Sequence, residues 1–544
     1  MTTAPRLTEG GLTFRDLNKN GRLDPYEDPR RSIEERVEDL LGQMTVEEKA
    51  GLMFHTIAGV NPDGTLAPPP HGHFRRPIAD AVTGKHMRHF NVHALPEPRL
   101  AARWHNRLQE LAEGTRLGIP VTISSDPRHS FAHNPLTSFS ASHLSQWPEP
   151  IGLGAAGDEA LAEQFGDIAR QEYLALGIRV ALHPMADLAT EPRWARINGT
   201  FGEDAQLSAR LTAAYIRGFQ GQSLGPRSVA CMTKHFPGGG PQKDGEDPHF
   251  AYGREQVYPG GQFDYHLPPF EAAFAAGTAQ IMPYYGMPIG TELEEVGFGF
   301  SRQVITEMLR GRYGFDGVVC TDWGLITDTR VGERVMVARA WGVEHLTPLE
   351  RLKKALDAGV DQFGGEECPE LVVELVRGGQ LTEARIDESA RRILRDVFRL
   401  GLFDDPYLDE DAAVRVVGSA EFRAAGALAQ RRAITLLKNG ESVSVLPLRD
   451  RPRLYIEGVA PEVASRYAEV VARPEGADLA LLRLSAPYEP RDREFLEAMF
   501  HAGDLDFKGA ERERILALLA KVPTVVAIHL DRPAVIPEIA QGCA

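Results

Sequence analysis

From about Pro120 to about Phe363 the chain alternates short apolar runs with helical patterns, and polar residues follow the runs. The runs are 120–123, 178–182, 228–232, 280–282, 317–320 and 358–361. Short, nearly continuous apolar runs predict strands buried on both faces. Between the first two lies 158–176, where Leu161, Phe165 and Ile168 share one helical face. Strands alternating with helices imply parallel pairing through right-handed crossovers. Repetition of this unit predicts a closed (β/α)8 barrel in preference to an open sheet. Asp126, Asp187, Lys234 with His235, Tyr285, Asp322 and Asp361 stand just after, or at the end of, the runs. Parallel strands would carry all of them to one rim, the C-terminal face where such barrels hold their chemistry.

A second alternation begins near Ala433. Ile434-Thr435-Leu436-Leu437 reads as a strand before the turn Lys438-Asn439-Gly440, and the runs 453–456, 479–484 and 524–530 alternate with helical stretches such as 511–521. The expected organisation is an N-terminal segment over 1–34, the α/β barrel over 35–402, a charged linker over 403–432 and a smaller α/β domain over 433–544. The 544-residue length asks for more than one core. A net charge of -16 argues against a nucleic-acid or anionic-membrane surface. The first residues carry no basic and apolar leader pattern, and no run of about 18 apolar residues is present. Cys231, Cys320, Cys368 and Cys543 are scattered, which suits a reduced, cytoplasmic protein.

The candidate chemistry centres on Asp322. It ends the run 317–320 in Thr321-Asp322-Trp323-Gly324 and is read as a nucleophile, with a helix-capping role as the alternative. Lys234-His235-Phe236-Pro237-Gly238-Gly239-Gly240 offers two adjacent donors to sugar hydroxyls, and it lacks the Gly-Lys-Ser/Thr spacing of a phosphate loop. In Glu191-Pro192-Arg193-Trp194-Ala195-Arg196, Arg193 is read as structural and Arg196 as functional.

Together Lys-His-Phe-Pro-Gly, Pro-Arg-Trp-x-Arg, Gly-Phe-Asp-Gly-Val-Val before Thr-Asp-Trp, and Leu-Leu-Lys-Asn resemble glycoside hydrolase family 3. The resemblance runs from about Arg36 almost to the end of the chain. It implies a barrel followed by an α/β sandwich, and a retaining, exo-acting β-glucosidase that takes a small oligosaccharide or an aryl or alkyl glycoside. It implies Asp322 as the nucleophile. Asp126, Arg196, Lys234 and His235 would hold the terminal sugar, Tyr285 would lie beside the nucleophile, and Trp323 would wall the leaving group. No cofactor is needed for this catalysis, and self-association into a homo-oligomer stays open. A retaining enzyme needs two carboxyls about 5–5.5 Å apart, one ionised and one protonated. The acid is assigned to Glu489 in Ser485-Ala486-Pro487-Tyr488-Glu489, while Asp492, Glu494 and Glu497 read as surface charges.

Two rival readings and three departures from the family pattern accompany this reading. Single-domain N-acetylglucosaminidases of the family use an Asp/His pair, and Asp247-Pro248-His249 lies on the matching loop, so a β-N-acetylhexosaminidase is the rival enzyme. Gly239 stands where those enzymes have a second histidine, and Gly199 where many relatives have a glutamate. The chain stops at Ala544, so the sandwich is expected to be short at its C-terminus, and a catalytically weak sugar-binding relative is the second rival.

A separate motif lies near the start. Asp16, Asn18, Asn20, Arg22, Asp24 and Glu27, with Gly21 at the sharp turn, match the spacing of the twelve-residue EF-hand loop. It is read as an isolated loop for a structural Ca²⁺. His71 and His73, after three prolines, read as a loop and not as a metal site.

Overall fold

The computed structural model describes residues 4–66, 77–139, 143–331, 333–440, 444–448, 450–494 and 496–544; the His71/His73 segment lies outside them. The chain forms two compact units. One comprises Met1–Thr190, Gly199–Lys243 and Asp247–Ala433; the other comprises Glu191–Asn198, Asp244–Glu246 and Ile434–Ala544.

The first unit is built on an eight-stranded sheet. Its strands are β1 (Phe54–Ala58), β2 (His89–Val92), β3 (Thr122–Ser125), β4 (Ile178–Ala181), β5 (Ala230–Phe236), β6 (Gln280–Pro283), β7 (Val318–Val319) and β8 (Phe363–Gly364). Their order is β7-β6-β5-β4-β3-β2-β1-β8, and every neighbouring pair is parallel. The two ends meet where Cys320 bridges Gln362 and Thr321 N donates to Gln362 O at 2.9 Å, so the sheet curls into a barrel. Helices cover the outside. In the helix Glu159–Ala175, Asp158 caps the start by accepting from Ala160 N and Leu161 N, and Leu161, Phe165 and Ile168 are buried. It packs on the helix Ala205–Gln220. The approach is close: a methyl group on Gly166 would lie 2.7 Å from Tyr215 O, and one on Gly218 would lie 2.4 Å from Glu163 O.

The structure departs from the sequence reading in several places. β1 and β2 were not among the expected runs, because His55, His89 and Asn91 interrupt their apolar character. Residues 358–361 are not a strand: Ala358 ends the helix Pro348–Ala358, and β8 starts at Phe363. Asp361 therefore precedes its strand and does not belong to the rim. Its buried carboxylate accepts from Arg310 Nη2 (2.6 Å), Arg392 Nη1 (3.0 Å), Ser389 Oγ (3.0 Å) and Val319 N (3.0 Å). The supposed linker 403–432 is part of the barrel unit. It carries the helices Glu410–Val416 and Ala420–Arg432, and the first packs on the helix Pro98–Glu113 with Arg103 paired to Glu410 at 2.8 Å. The N-terminal segment also belongs to this unit: Tyr26 is buried and donates to Leu117 O at 3.3 Å.

The second unit has four parallel strands, β9 (Arg453–Glu457), β10 (Glu469–Val471), β11 (Leu479–Ser485) and β12 (Thr524–His529), in the order β10-β9-β11-β12. Ala480, Leu482 and Leu484 pack on Ile515 and Leu518 of the helix Gly509–Lys521 and on Ile539. The expected strand at 434–437 is absent. Ile434 and Leu437 are 77% and 79% exposed, and an extended segment with no neighbour to share its ladder gains nothing from β geometry.

Asp361→Ala should cost about 3–5 kcal/mol, because it strands two guanidinium groups that share one buried carboxylate. Chemical denaturation followed by the tryptophans of the barrel checks this; a change under about 1 kcal/mol would mean that the network contributes little.

Candidate active site

Parallel closure brings the strand ends to one rim. Asp126 follows β3, Asp187 follows β4, Lys234 and His235 end β5, Tyr285 follows β6 and Asp322 follows β7. Lys234 Nζ donates to Asp126 Oδ1 at 2.8 Å, and Asn91 Nδ2 of β2 donates to Asp126 Oδ2 at 3.1 Å. These three side chains are buried, so each charge depends on its partner. His235 Nδ1 lies 2.7 Å from Asp187 Oδ2, and its Nε2 lies 3.7 Å from Asp322 Oδ2. Residues 323–328, directly after Asp322, are not helical, which removes the capping alternative. Its Oδ1 accepts from the next backbone N–H, that of Trp323, at 2.8 Å.

The turn that presents Asp322 is tied from behind. Trp323 O accepts from Tyr285 Oη at 2.7 Å and from Arg339 Nη1 at 3.0 Å, and the Arg339 guanidinium lies 5.3 Å from the Tyr285 ring centroid. Gly364 and Gly365 leave room for the indole: a methyl group on either would come within 2.6 Å of the Trp323 ring. Below the rim, His55 bridges Ser124 Oγ (2.6 Å) and Gln362 Oε1 (3.3 Å). Burial pushes His55 down to about 3, so it is a neutral polar strut.

Asp322, Asp126, Lys234, His235, Tyr285 and Trp323 are thus linked through successive contacts or chain neighbours. Arg196 and Glu489 belong to the second unit. Sequence reasoning missed Asn91, which sits on an unrecognised strand, and Arg339, which no motif marks. It noted Asp187 only as a rim acid.

The rival dyad also exists as a pair. His249 Nδ1 is 2.6 Å from Asp247 Oδ1, both are buried, and the His249 ring centroid is 5.0 Å from that of Tyr285. At Gly239, however, a Cβ would stand 2.6 Å from Tyr284 Cε1 and 3.0 Å from Asp187 Oδ1. The second histidine of the N-acetylglucosaminidase motif has no room there. At Gly199 a Cβ would stand 2.5 Å from Met185 Sδ, so a glutamate would likewise displace its neighbours.

In the second unit, Glu489 lies on the loop after β11. Its backbone N donates to Ala502 O at 2.9 Å, and its carboxylate is 3.5 Å from Arg491 Nη2 and 54% exposed. The loop therefore does not give Glu489 the dry setting that was expected of the acid. Buried Arg532 holds the loop by donating to Gly503 O (3.0 Å) and Pro487 O (2.7 Å). Glu497 is buried and not a surface charge; it accepts from Arg493 N at 2.6 Å and from the Arg493 guanidinium at 2.8 Å. Arg193 pairs with Glu191 at 2.8 Å, a structural contact.

In the N-terminal loop Asp16, Asp24 and Glu27 are buried. Asp16 accepts from Asn20 N (3.0 Å) and Gly21 N (2.9 Å), Asp24 Oδ2 accepts from the amides of Asn18 and Asn20 (2.5 Å each), and Glu27 accepts from Leu17 N (2.6 Å). Arg22 reaches Asp24 at 3.3 Å. Burial pushes Glu27 up to about 7. An all-oxygen set with three buried carboxylates has the right chemistry for a hard cation. In this arrangement, though, no three such groups among the described residues converge as metal ligands.

Comparison with known proteins agrees with the barrel. Residues 79–396 match the model of the glycosyl hydrolase family 3 N-terminal domain. A β-glucosidase C of Emericella nidulans is 51% identical over 532 residues, covering 97% of this chain and 85% of that protein. A periplasmic β-glucosidase/β-xylosidase of Dickeya chrysanthemi is 42% identical over 565 residues, covering 98% of this chain and 84% of the relative. The structure of a β-glucosidase from Erythrobacter marinus superposes with a TM-score of 0.77 at 23% identity, covering 96% of this chain and 74% of that one, and shares the fold. The chain belongs to glycosyl hydrolase family 3. It is a glycoside hydrolase, and its substrates are glycosides.

Proposed function

We propose that the protein is a retaining, exo-acting β-glucosidase that removes terminal non-reducing β-D-glucosyl residues from short oligosaccharides or aryl and alkyl glycosides. The observation that carries this is Asp322, a buried carboxylate at a barrel strand end with a histidine 3.7 Å away. Asp322 attacks the anomeric carbon, the aglycone leaves, and water then releases glucose from the covalent intermediate. By the family resemblance Asp126, Lys234 and Arg196 grip sugar hydroxyls, and His235 turns its Nε2 towards Asp322. Trp323 offers an apolar face to the substrate. Glu489 protonates the leaving oxygen and later activates water; its support is its place on the loop after β11, against an exposed setting. The names of the most similar relatives and the crowding at Gly239 favour glucosides over N-acetylhexosaminides. Cytoplasmic residence is part of the proposal, supported by four free cysteines.

Asp322→Asn should lower turnover of an aryl β-glucoside by roughly 10⁴-fold or more, and Glu489→Ala should be rescued by azide with release of a glycosyl azide. Wild-type-like turnover by the first variant would remove Asp322 as nucleophile. Unchanged kinetics in the second would move the acid elsewhere.

We further propose that the loop from Asp16 to Glu27 binds a structural Ca²⁺, supported by its three buried carboxylates. Glu27 held at about 7 is above its ordinary value, so the folded loop keeps a proton that the unfolded chain releases. Without a cation, stability should therefore fall as pH rises through the interval between the ordinary glutamate value and about 7. A bound cation offsets this. Ca²⁺ should raise the melting temperature over a chelator control, more at about pH 8 than at about pH 5, and Asp16→Ala should abolish the difference. Equal melting with Ca²⁺ and with chelator at both values would dismiss the site.

A further inference from the structure

His235 lies between two carboxylates. Its Nδ1 is 2.7 Å from Asp187 Oδ2 and its Nε2 is 3.7 Å from Asp322 Oδ2, with all three side chains buried. Asp187 is a well-tied acceptor. Besides the imidazole, it takes the backbone N–H of Gly239 at 2.5 Å and that of His235 at 3.2 Å. A carboxylate receiving several N–H donors is anionic and requires a proton on His235 Nδ1. A neutral ring with that proton would turn the Nε2 lone pair towards Asp322 Oδ2, a buried atom with no hydrogen-bond donor among the described residues. Only the imidazolium presents N–H to both acids.

Several neighbours of the ring and of Asp187 are paired or neutral. Lys234 spends its amine on Asp126. The Tyr284 ring, after β6, lies 4.5 Å from the imidazole centroid. Near Asp187, burial pushes His266 down to about 4 and raises Tyr258, so both are neutral around pH 6. The Asp247–His249 pair meets the Tyr285 ring, and His55, below the rim, is neutral.

We propose that Asp187 is a positioning residue that holds His235 as an imidazolium against Asp322, and thereby sets the acid limb of the activity. This rests on the reading of Asp322 as the nucleophile. Asp187 need not touch the sugar to do it. Its charge acts through one ring, and the ring's second N–H carries a positive end to the nucleophile. When Asp322 becomes glycosylated and loses its charge, the same N–H remains aimed at the departing carboxylate and favours its release in the second step.

The test is the acid limb of kcat/KM for an aryl β-glucoside in the wild type, Asp187→Asn and Asp187→Glu, with melting temperatures measured in parallel. Asp187→Asn removes the charge that keeps the ring protonated, so its limb should move up by about one to three pH units. Asp187→Glu should return the limb towards the wild-type position. A folded Asp187→Asn whose limb coincides with the wild type would overturn the proposal. Nitrogen NMR of histidine-labelled wild-type protein decides the matter if that variant does not fold, with the signal assigned by its loss in His235→Gln. Both ring nitrogens of His235 should be protonated throughout the active pH range, and a neutral ring there would overturn the proposal. Wild-type-like turnover by Asp322→Asn would instead sink the nucleophile reading, and the NMR result would still report the charge of His235 separately.

Discussion

Everything at the rim depends on closure of a parallel sheet. The Cys320–Gln362 bridge joins β7 to β8, and with that join every strand points its C-terminal end the same way. Asp126, Asp187, His235, Tyr285 and Asp322 are separated by tens of residues in the chain, yet each needs only to sit at or just after its strand to reach the same mouth. Closure is reinforced at the other end by Asp361, which ties β7 through Val319 N while absorbing Arg310 and Arg392. The charges that hold the barrel shut and the charges proposed for chemistry thus occupy opposite ends of β8.

Charge pairing is what lets the mouth be both buried and polar. Lys234 with Asp126, and His235 with Asp187, each offset the cost of removing an ion from water. Asp322 faces the second pair, with its Oδ2 3.7 Å from the imidazole. Family 3 membership says that such a barrel serves glycoside hydrolysis, and the pairing says how its mouth stays polar although buried.

Much of the fold was legible because six apolar runs repeat one pattern, and the strongest site residues stand at their ends. The limits were physical. β1 and β2 turn His55, His89 and Asn91 into the barrel, so their sequences do not look like buried strands. The run at 358–361 is apolar because it closes a helix and enters a buried turn, so Asp361 was placed at the wrong end. Residues 403–432 carry the charges of a linker, but those charges pair with Arg99 and Arg103 along a helix. Ile434 to Leu437 has strand composition with no strand beside it. Arg339 acts through two carbonyls and one ring, contacts that leave no spacing to read. Asp187 and Asp322 look alike in sequence; their distances to His235, 2.7 and 3.7 Å, tell them apart.

The central claim is that Asp322 forms the covalent bond to the sugar. Incubation with an activated 2-deoxy-2-fluoro-β-glucoside, followed by mass spectrometry of the intact protein and its peptides, tests it most directly. A single fluoroglucosyl adduct on Asp322, formed as activity is lost, is the predicted result. An adduct on another carboxylate, or loss of activity with no adduct at Asp322, would contradict it.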